Sequence, residues 1–210
     1  YWELNFIPHL NIYRKDLVPA GLDVISYPKL DVKAVILSHV HMDHYGHIGF
    51  LDKEIPVVAS PITLALLKGI QDMYSRGAGS EVIYFNEKVP EAKNPKILKS
   101  TGKSFGRNLI STIKCENNLS NYFWESAKKK GTIEEGSITS LEDTALPFSI
   151  TPYEIDHSVY GANAYILEGD RTIAYTGDIR RHGKYEKQSN IFIQKARDAE
   201  ILIIDGDSHQ

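Results

Sequence analysis

The stretch SHVHMDHYGH, residues 38–47, holds four of the eight histidines of this 210-residue chain, together with Asp43. The pattern H-x-H-x-D-H within it arises by chance in a chain of this composition with a probability on the order of one in a thousand. Imidazole nitrogens and carboxylate oxygens are ligands that a borderline ion such as zinc accepts. The stretch therefore indicates a metal site.

The residues around this stretch predict how its side chains point. The run VKAVILS (32–38) is apolar and rich in β-branched residues, which predicts a buried strand that ends at the histidines. His39 and His41 are two positions apart in an extended segment and therefore point the same way. Asp43 and His44 follow as the chain turns toward a helix, and they can point at a second position. This arrangement suits two metal ions side by side.

Two further ligand candidates come after strands in the second half of the chain. His157 ends the strand-like TPYEID, and Asp178 ends the strand-like TIAYTG. Because both residues follow the carboxyl ends of strands, we expect them to meet the histidine stretch there. Asp178 can bridge both ions.

The remaining elements predict an α/β fold. PVVAS (56–60) reads as a strand, and Ser60-Pro61 predicts the start of a helix that runs to about Tyr74. Residues 146–157, 162–169 and 171–178 predict three strands, with a hairpin turn at 168–170 between the second and the third. A short helix over 190–197 and a strand over 200–206 complete the pattern.

Residues 75–144 carry only a weak secondary-structure signal, which predicts an insertion or a lid-like region. Its strand-like runs are SEVIYF and NLISTI, and lysine is frequent. The lysine excess predicts a solvated face or, as the alternative, a guide for RNA. The aromatic run Tyr122–Trp124 predicts an apolar anchor or, as the alternative, a surface that stacks bases.

The composition of the chain bears on three other properties: binding to polyanions, insertion into membranes and the presence of disulfides. The net charge of −3 does not by itself predict a polyanion partner, and no apolar run is long enough to span a membrane. The single cysteine, Cys115, cannot form an internal disulfide, so we expect a cytoplasmic protein. The chain starts at Tyr1 and stops just after a strand-like run, which predicts a fragment of a longer protein.

The motifs SHVHMDH, DHSVYGA and YTGDIRRHG occur in this order, and together they resemble the metallo-β-lactamase superfamily. The resemblance implies a four-layer αββα sandwich with a dinuclear site at one edge of its sheets. DHSVYGANAYIL followed by IAYTGDIRRHG most resembles the β-CASP nuclease branch, the group that contains ribonuclease J. Residues 1–210 would then be a partial metallo-β-lactamase domain that lacks the first strands, the β-CASP domain and the last ligand histidine.

The resemblance also implies roles for the candidate residues. Two divalent ions are expected, Zn²⁺ first and Mn²⁺ as the alternative. Asp43 would orient the attacking hydroxide and accept its proton, while Ser158 and Arg180 would contact the substrate. The implied metal ligands are His39, His41 and His157 on the first ion, Asp43 and His44 on the second, and Asp178 between the two.

These expectations leave three functions open. The first is a ribonuclease that cleaves RNA phosphodiester bonds with a hydroxide held between two metal ions. The second is a hydrolase of a small thioester or lactone, and the third is an inactive RNA-binding module. A lone zinc that holds a loop is the structural alternative for the histidine cluster. RNA is the expected partner, a membrane is not, and the oligomeric state stays open.

Overall fold

The computed structural model describes residues 1–74, 77–114, 119–125 and 133–205. Within them the chain forms two four-stranded sheets and a two-stranded hairpin. The strands are β1 (Val35–Ile36), β2 (Val57–Ala59), β3 (Tyr84–Pro90), β4 (Leu98–Gly106), β5 (Leu109–Ser111), β6 (Ile138–Ser140), β7 (Ser149–Glu154), β8 (Asn163–Glu168), β9 (Thr172–Tyr175) and β10 (Ile201–Ile203). The α-helices are α1 (Met42–Tyr45), α2 (Pro61–Met73), α3 (Leu119–Trp124) and α4 (Glu186–Lys195). Short 3₁₀ helices cover Lys15–Leu17, Ile48–Phe50, Ala78–Ser80 and Ala196–Asp198.

The first sheet has the order β1-β2-β5-β6, and all its strands are parallel. Strand β2, one of its two inner strands, is fully buried, as expected for a continuous apolar run in a parallel sheet. Helix α2 follows β2 and starts as predicted, because the Ser60 hydroxyl accepts a hydrogen bond from the Thr63 backbone N–H at 3.1 Å. The helix packs Leu64 and Leu67 against the sheet.

The second sheet has the order β10-β9-β8-β7. Strands β7, β8 and β9 form an antiparallel meander, and β10 pairs with β9 in parallel. The three predicted strands and the hairpin turn between β8 and β9 are confirmed. Helix α4 packs Phe192 against this sheet, and it begins at Glu186, four residues before the predicted start.

The two sheets join where β1 ends. The Tyr165 hydroxyl of β8 donates to the Leu37 carbonyl oxygen at 2.9 Å, and the Asn163 backbone N–H donates to the Ser38 carbonyl oxygen at 2.9 Å. With α2 on one sheet and α4 on the other, the layers follow the predicted order α–β–β–α. The cross-sheet bonds bring the end of β1 against the second sheet, and this contact places the candidate site.

The predicted insertion over 75–144 contributes directly to the first sheet. Strands β5 and β6 lie in it and pair with each other, while β3 and β4 form the hairpin. Phe123 and Trp124 are buried in the core next to α2, which confirms the apolar-anchor interpretation for these two residues, whereas Tyr122 is 44% exposed. The bounds of the insertion stay a prediction. Cys115, Lys128–Lys130 and His209 lie outside the described residues.

A buried ionic network ties the first twenty residues to the hairpin. The Arg14 side chain is about 1% exposed and forms salt bridges with Glu81 at 2.9 Å and with Asp16 at 2.7 Å. Its guanidinium lies 4.2 Å from the centre of the Phe85 ring. Burial and the nearby Arg14 charge lower the pKa of Arg107 to about 10, so that this side chain stays charged at neutral pH. The Arg14 charge is compensated by its two carboxylate partners, as a buried arginine requires. The Arg107 guanidinium instead donates hydrogen bonds to the backbone carbonyl oxygens of Asp52 at 2.9 Å and Leu51 at 3.2 Å.

No helix within the described part of the chain is both long and apolar enough to cross a membrane.

Candidate metal centre

Four of the predicted ligands converge at the junction of the two sheets. One ligand atom from each of His39, His41, His157 and Asp178 lies within 4.8 Å of the other three. The His41 Nδ1 atom is 3.0 Å from His39 Nε2 and 3.1 Å from His157 Nε2. Residues far apart in the chain therefore meet around one point, as the sequence predicted.

Short connections after three strands place these side chains. His39 and His41 follow β1, and His41 is the residue immediately before α1. His157 follows β7, and Asp178 follows β9. Gly177 turns the chain before Asp178 with a φ of +51°, and a Cβ atom there would lie only 2.7 Å from the Ser38 Cβ. The close approach of β9 to the end of β1 thus depends on glycine.

The electrostatics of this cluster fit a bound cation. Burial, together with the neighbouring His44, His157 and His41, lowers the pKa of His39 to about 2. Burial also lowers the pKa of His157. These imidazoles are therefore neutral near pH 7, which is the form that coordinates metals. The Ser38 hydroxyl lies 3.0 Å from His39 Nδ1 and can accept a hydrogen bond from the Nδ1–H group, which leaves Nε2 free to face the cluster.

Asp178 gives an independent indication of a cation. Its side chain is 7% exposed, and its Oδ1 atom is buried without a hydrogen-bond partner among the described residues. Its Oδ2 atom lies 3.5 Å from His39 Nε2 and 3.6 Å from His157 Nε2. An unsatisfied buried carboxylate oxygen costs free energy, which a coordinated cation would offset.

A second group of ligand atoms shares Asp178. It comprises His44, Asp178 and Asp205. The His44 Nε2 atom lies 3.2 Å from Asp178 Oδ1 and 3.7 Å from Asp205 Oδ2. Asp178 therefore has one oxygen toward each group, which is the arrangement predicted for a bridging carboxylate.

Asp43 differs from the prediction, because the structure places it outside both groups. Its side chain is 77% exposed, and its Oδ2 atom lies 3.7 Å from His44 Nε2. Asp43 is the second residue of the short helix α1, so it faces solvent while His44 faces inward. Asp205 takes the place expected for a carboxylate beside His44.

Asp205 is the ligand candidate that the sequence reasoning missed. It follows β10, in the same way that Asp178 follows the neighbouring strand β9. Because parallel neighbours end at the same edge of a sheet, carboxylates that follow them meet there. That rule, applied to the run ILIIDG, could have identified Asp205.

The two predicted substrate contacts lie beside the first group. The exposed Ser158 has its Oγ 3.4 Å from His41 Nε2. The Arg180 Nη2 donates to the His157 carbonyl oxygen at 2.8 Å, and its Nε lies 3.3 Å from Asp156 Oδ2. Arg180 therefore holds the backbone of a candidate ligand, while 36% of its side chain stays exposed.

Asp156 organises the loop that forms this wall of the site. Its buried carboxylate accepts hydrogen bonds from the backbone N–H groups of Gly183, at 2.6 Å, and Tyr185, at 3.2 Å. Burial alone would raise the pKa of Asp156. The N–H groups of Tyr185 and Gly183 and the Arg180 charge outweigh that effect, so the pKa lies below its ordinary value. Asp156 is thus an anionic anchor next to His157.

Three other polar residues of the quoted motifs face away from the cluster or form other contacts. His47 is exposed and packs against the rings of Tyr1 and Phe50. The Arg181 Nε donates to Asn190 Oδ1 at 2.8 Å, and His182 is exposed. The described side-chain contacts of His47 and Arg181 are therefore with residues other than the candidate ligands.

Comparison with known proteins assigns the family. The family model of the metallo-β-lactamase superfamily matches residues 10–200. The chain belongs to the metallo-β-lactamase superfamily. Membership and the histidine–aspartate cluster of this chain together indicate a metal-dependent hydrolase that binds divalent metal ions.

Among the curated relatives, two are ribonucleases. Ribonuclease J of Methanocaldococcus jannaschii is 27% identical over 154 residues, which cover 72% of this chain and 27% of that protein. Ribonuclease J 1 of Streptococcus pyogenes serotype M3 is 50% identical over 40 residues, which cover 18% of this chain and 7% of that protein. The chain thus spans about a quarter, or less, of the length of these relatives.

A solved structure shows the same fold. A protein of unknown function from Enterococcus faecalis V583 superposes with a TM-score of 0.56 at 21% sequence identity, over 98% of this chain and 39% of that one. At this identity the likeness shows a shared fold alone and carries no information on substrate.

Proposed function

We propose that this chain is the metallo-β-lactamase domain of a ribonuclease that cleaves RNA phosphodiester bonds. The observation that carries the proposal is the pair of ligand groups joined at Asp178, together with the similarity to two ribonuclease J proteins. We further propose that residues 1–210 are part of a longer protein, and that RNA turnover takes place in the cytoplasm.

The residues present would hold two divalent cations. His39, His41 and His157 would bind the first, His44 and Asp205 the second, and Asp178 both. Nitrogen and carboxylate ligands of this kind suit Zn²⁺, and Mn²⁺ is the alternative. Such cations supply a hydroxide at neutral pH and neutralise charge on the attacked phosphate.

The side chains around the ligands would carry the remaining steps. The exposed carboxylate of Asp43 lies on the solvent side of His44, where its Oδ2 can accept the proton of the attacking water. The Ser158 hydroxyl, next to His41, can donate a hydrogen bond to a phosphate oxygen. The exposed part of Arg180 adds positive charge to the same wall.

The test compares two histidine variants of the purified protein on labelled single-stranded RNA, with added Zn²⁺ or Mn²⁺. We expect His41→Ala to lower the cleavage rate at least about 100-fold, because a ligand to the metal is removed. His47→Ala is the matched control, since His47 lies in the same segment but faces away from the cluster. Bound metal is measured in both variants by elemental analysis.

Other outcomes would contradict the proposal. If the parent hydrolyses a thioester or a lactone but not RNA, the substrate class is wrong. If it binds RNA and turns over none of these substrates, the chain is an inactive binding module. Equal RNA cleavage by the parent and by His41→Ala would show that the cluster is not the catalytic site.

A further inference from the structure

A cluster of one exposed aromatic ring, one half-buried aromatic ring and one exposed lysine lies beside the metal centre. The Tyr160 side chain is 60% exposed, and its ring centre is 6.3 Å from that of Tyr185 at an interplanar angle of 89°. The Lys184 Nζ atom lies 5.6 Å from the Tyr160 ring centre and 5.5 Å from the Tyr185 ring centre. We call these three residues the aromatic–lysine cluster.

The backbone fixes the aromatic–lysine cluster close to the candidate ligands. Tyr160 is three residues after His157, so their Cα atoms are at most about 11 Å apart. From the other side, the Tyr185 backbone N–H donates to Asp156, the residue directly before His157. Both rings are therefore attached to segments that form the wall of the metal centre.

Rigid elements support both segments. The carbonyl oxygen of Gly161, directly after Tyr160, accepts hydrogen bonds from the Ser60 hydroxyl at 2.6 Å and the Thr63 hydroxyl at 3.0 Å. Tyr185 is the residue immediately before helix α4. A ring held at the surface on such a scaffold loses little conformational entropy when a ligand binds.

The chemistry of the cluster matches an unpaired nucleotide. Exposed aromatic faces stack on bases irrespective of sequence, and a neighbouring ammonium group compensates a phosphate charge. We propose that the aromatic–lysine cluster binds an unpaired nucleotide of the RNA substrate that flanks the cleaved phosphate. One tyrosine ring stacks on the base and Lys184 contacts the phosphate. This inference rests on the proposed function, which supplies RNA as the substrate.

The test measures the affinity of the protein for a fluorescent single-stranded RNA and for an abasic oligonucleotide of the same length. We expect Tyr160→Ala to weaken RNA binding roughly 5- to 150-fold, the contribution of one stacked base. Tyr160→Phe keeps the ring and should bind RNA as the parent does. On the abasic oligonucleotide, Tyr160→Ala and the parent should have the same affinity, because no base is present to stack.

Replacing Lys184 allows a second measurement, the salt dependence of RNA affinity. A merely structural role of Lys184 would leave this salt dependence unchanged. Lys184→Ala should reduce the slope of log affinity against log salt by about 0.7, the contribution of one phosphate contact on a single strand. Lys187→Ala, an exposed lysine in helix α4, is the matched control and should change the slope less.

The outcomes separate this inference from the proposed function. If the parent cleaves RNA and Tyr160→Ala binds it with unchanged affinity, the nucleotide subsite is refuted and the ribonuclease proposal stands. Equal losses on RNA and on the abasic oligonucleotide would also refute it, since they indicate a general disturbance of the wall. If the parent neither binds nor cleaves RNA, the proposed function fails, and this inference fails with it.

Discussion

Replacing Asp156 with alanine tests whether the wall of the metal centre depends on one buried carboxylate. The carboxylate accepts hydrogen bonds from the Gly183 and Tyr185 backbone N–H groups and pairs with the Arg180 guanidinium. Each hydrogen bond to a charged group contributes about 1.5–3 kcal/mol, and the partly exposed ion pair adds less than about 1 kcal/mol. Water that enters the vacated space recovers part of the loss, so we expect a destabilisation of about 3 kcal/mol.

Thermal unfolding is the direct assay for this change. In a chain of this size a loss of about 3 kcal/mol lowers Tm by roughly 6–12 °C. Asp170→Ala is the matched control, because it removes an exposed carboxylate in the turn between β8 and β9. It should shift Tm by no more than about 2 °C.

Metal content gives a second readout for Asp156→Ala. Because Asp156 and Arg180 both hold the backbone around His157, we expect the variant to bind the first metal ion at least about 10-fold more weakly. Competition with a chelator of known affinity measures this change. An unaltered Tm together with unaltered metal affinity would refute the reasoning, since it would show that the loop keeps its position without the carboxylate.

Two further perturbations test the buried network and the metal centre. Arg14→Leu leaves Glu81 buried without its cation, and we expect a loss of about 3–5 kcal/mol in the free energy of unfolding measured in urea. Lys53→Leu, which breaks an exposed pair with Glu54, should change it by less than about 1 kcal/mol, and equal effects of the two changes would contradict this account. Removal of metal with a chelator should lower Tm by roughly 5–11 °C relative to protein in zinc at 100 times the dissociation constant, because bound metal then contributes about 2.7 kcal/mol. The same treatment of His41→Ala should have a smaller effect, and an identical shift would place the stabilising ion elsewhere.

The sequence was sufficient to select most of the candidate ligands that the structure brings together, because strong local patterns placed each residue after a strand. His39, His41 and His44 occur in one motif, and His157 and Asp178 each close an apolar run. The structure brings all five into the two ligand groups. The local hydrophobic pattern predicts where strands end. In an α/β fold the residues that follow the carboxyl ends of strands form the binding site, so these residues could be selected from sequence.

Other features depend on contacts that no local pattern encodes. The run NLISTI predicted a strand where β5 lies, whereas the three residues of β6 gave no such signal. The pairing of both strands in the first sheet depends on contacts between segments distant in the chain. Arg180 was assigned to substrate from its position after Asp178. Its pairing with Asp156 requires two segments to meet in space. For the same reason Asp43 was expected beside His44 and Asp205 was not considered, since the orientation of α1 and the position of the end of β10 depend on tertiary contacts.

The position of the ligand groups between the two sheets has a mechanical consequence. His41 follows a strand of the first sheet and His157 follows a strand of the second, and they are 116 positions apart in the chain. A cation held by both would act as a reversible cross-link that closes a long loop, much as a disulfide does. Release of the ion would then reopen that loop, so metal supply would govern how firmly the two halves of the sandwich stay together.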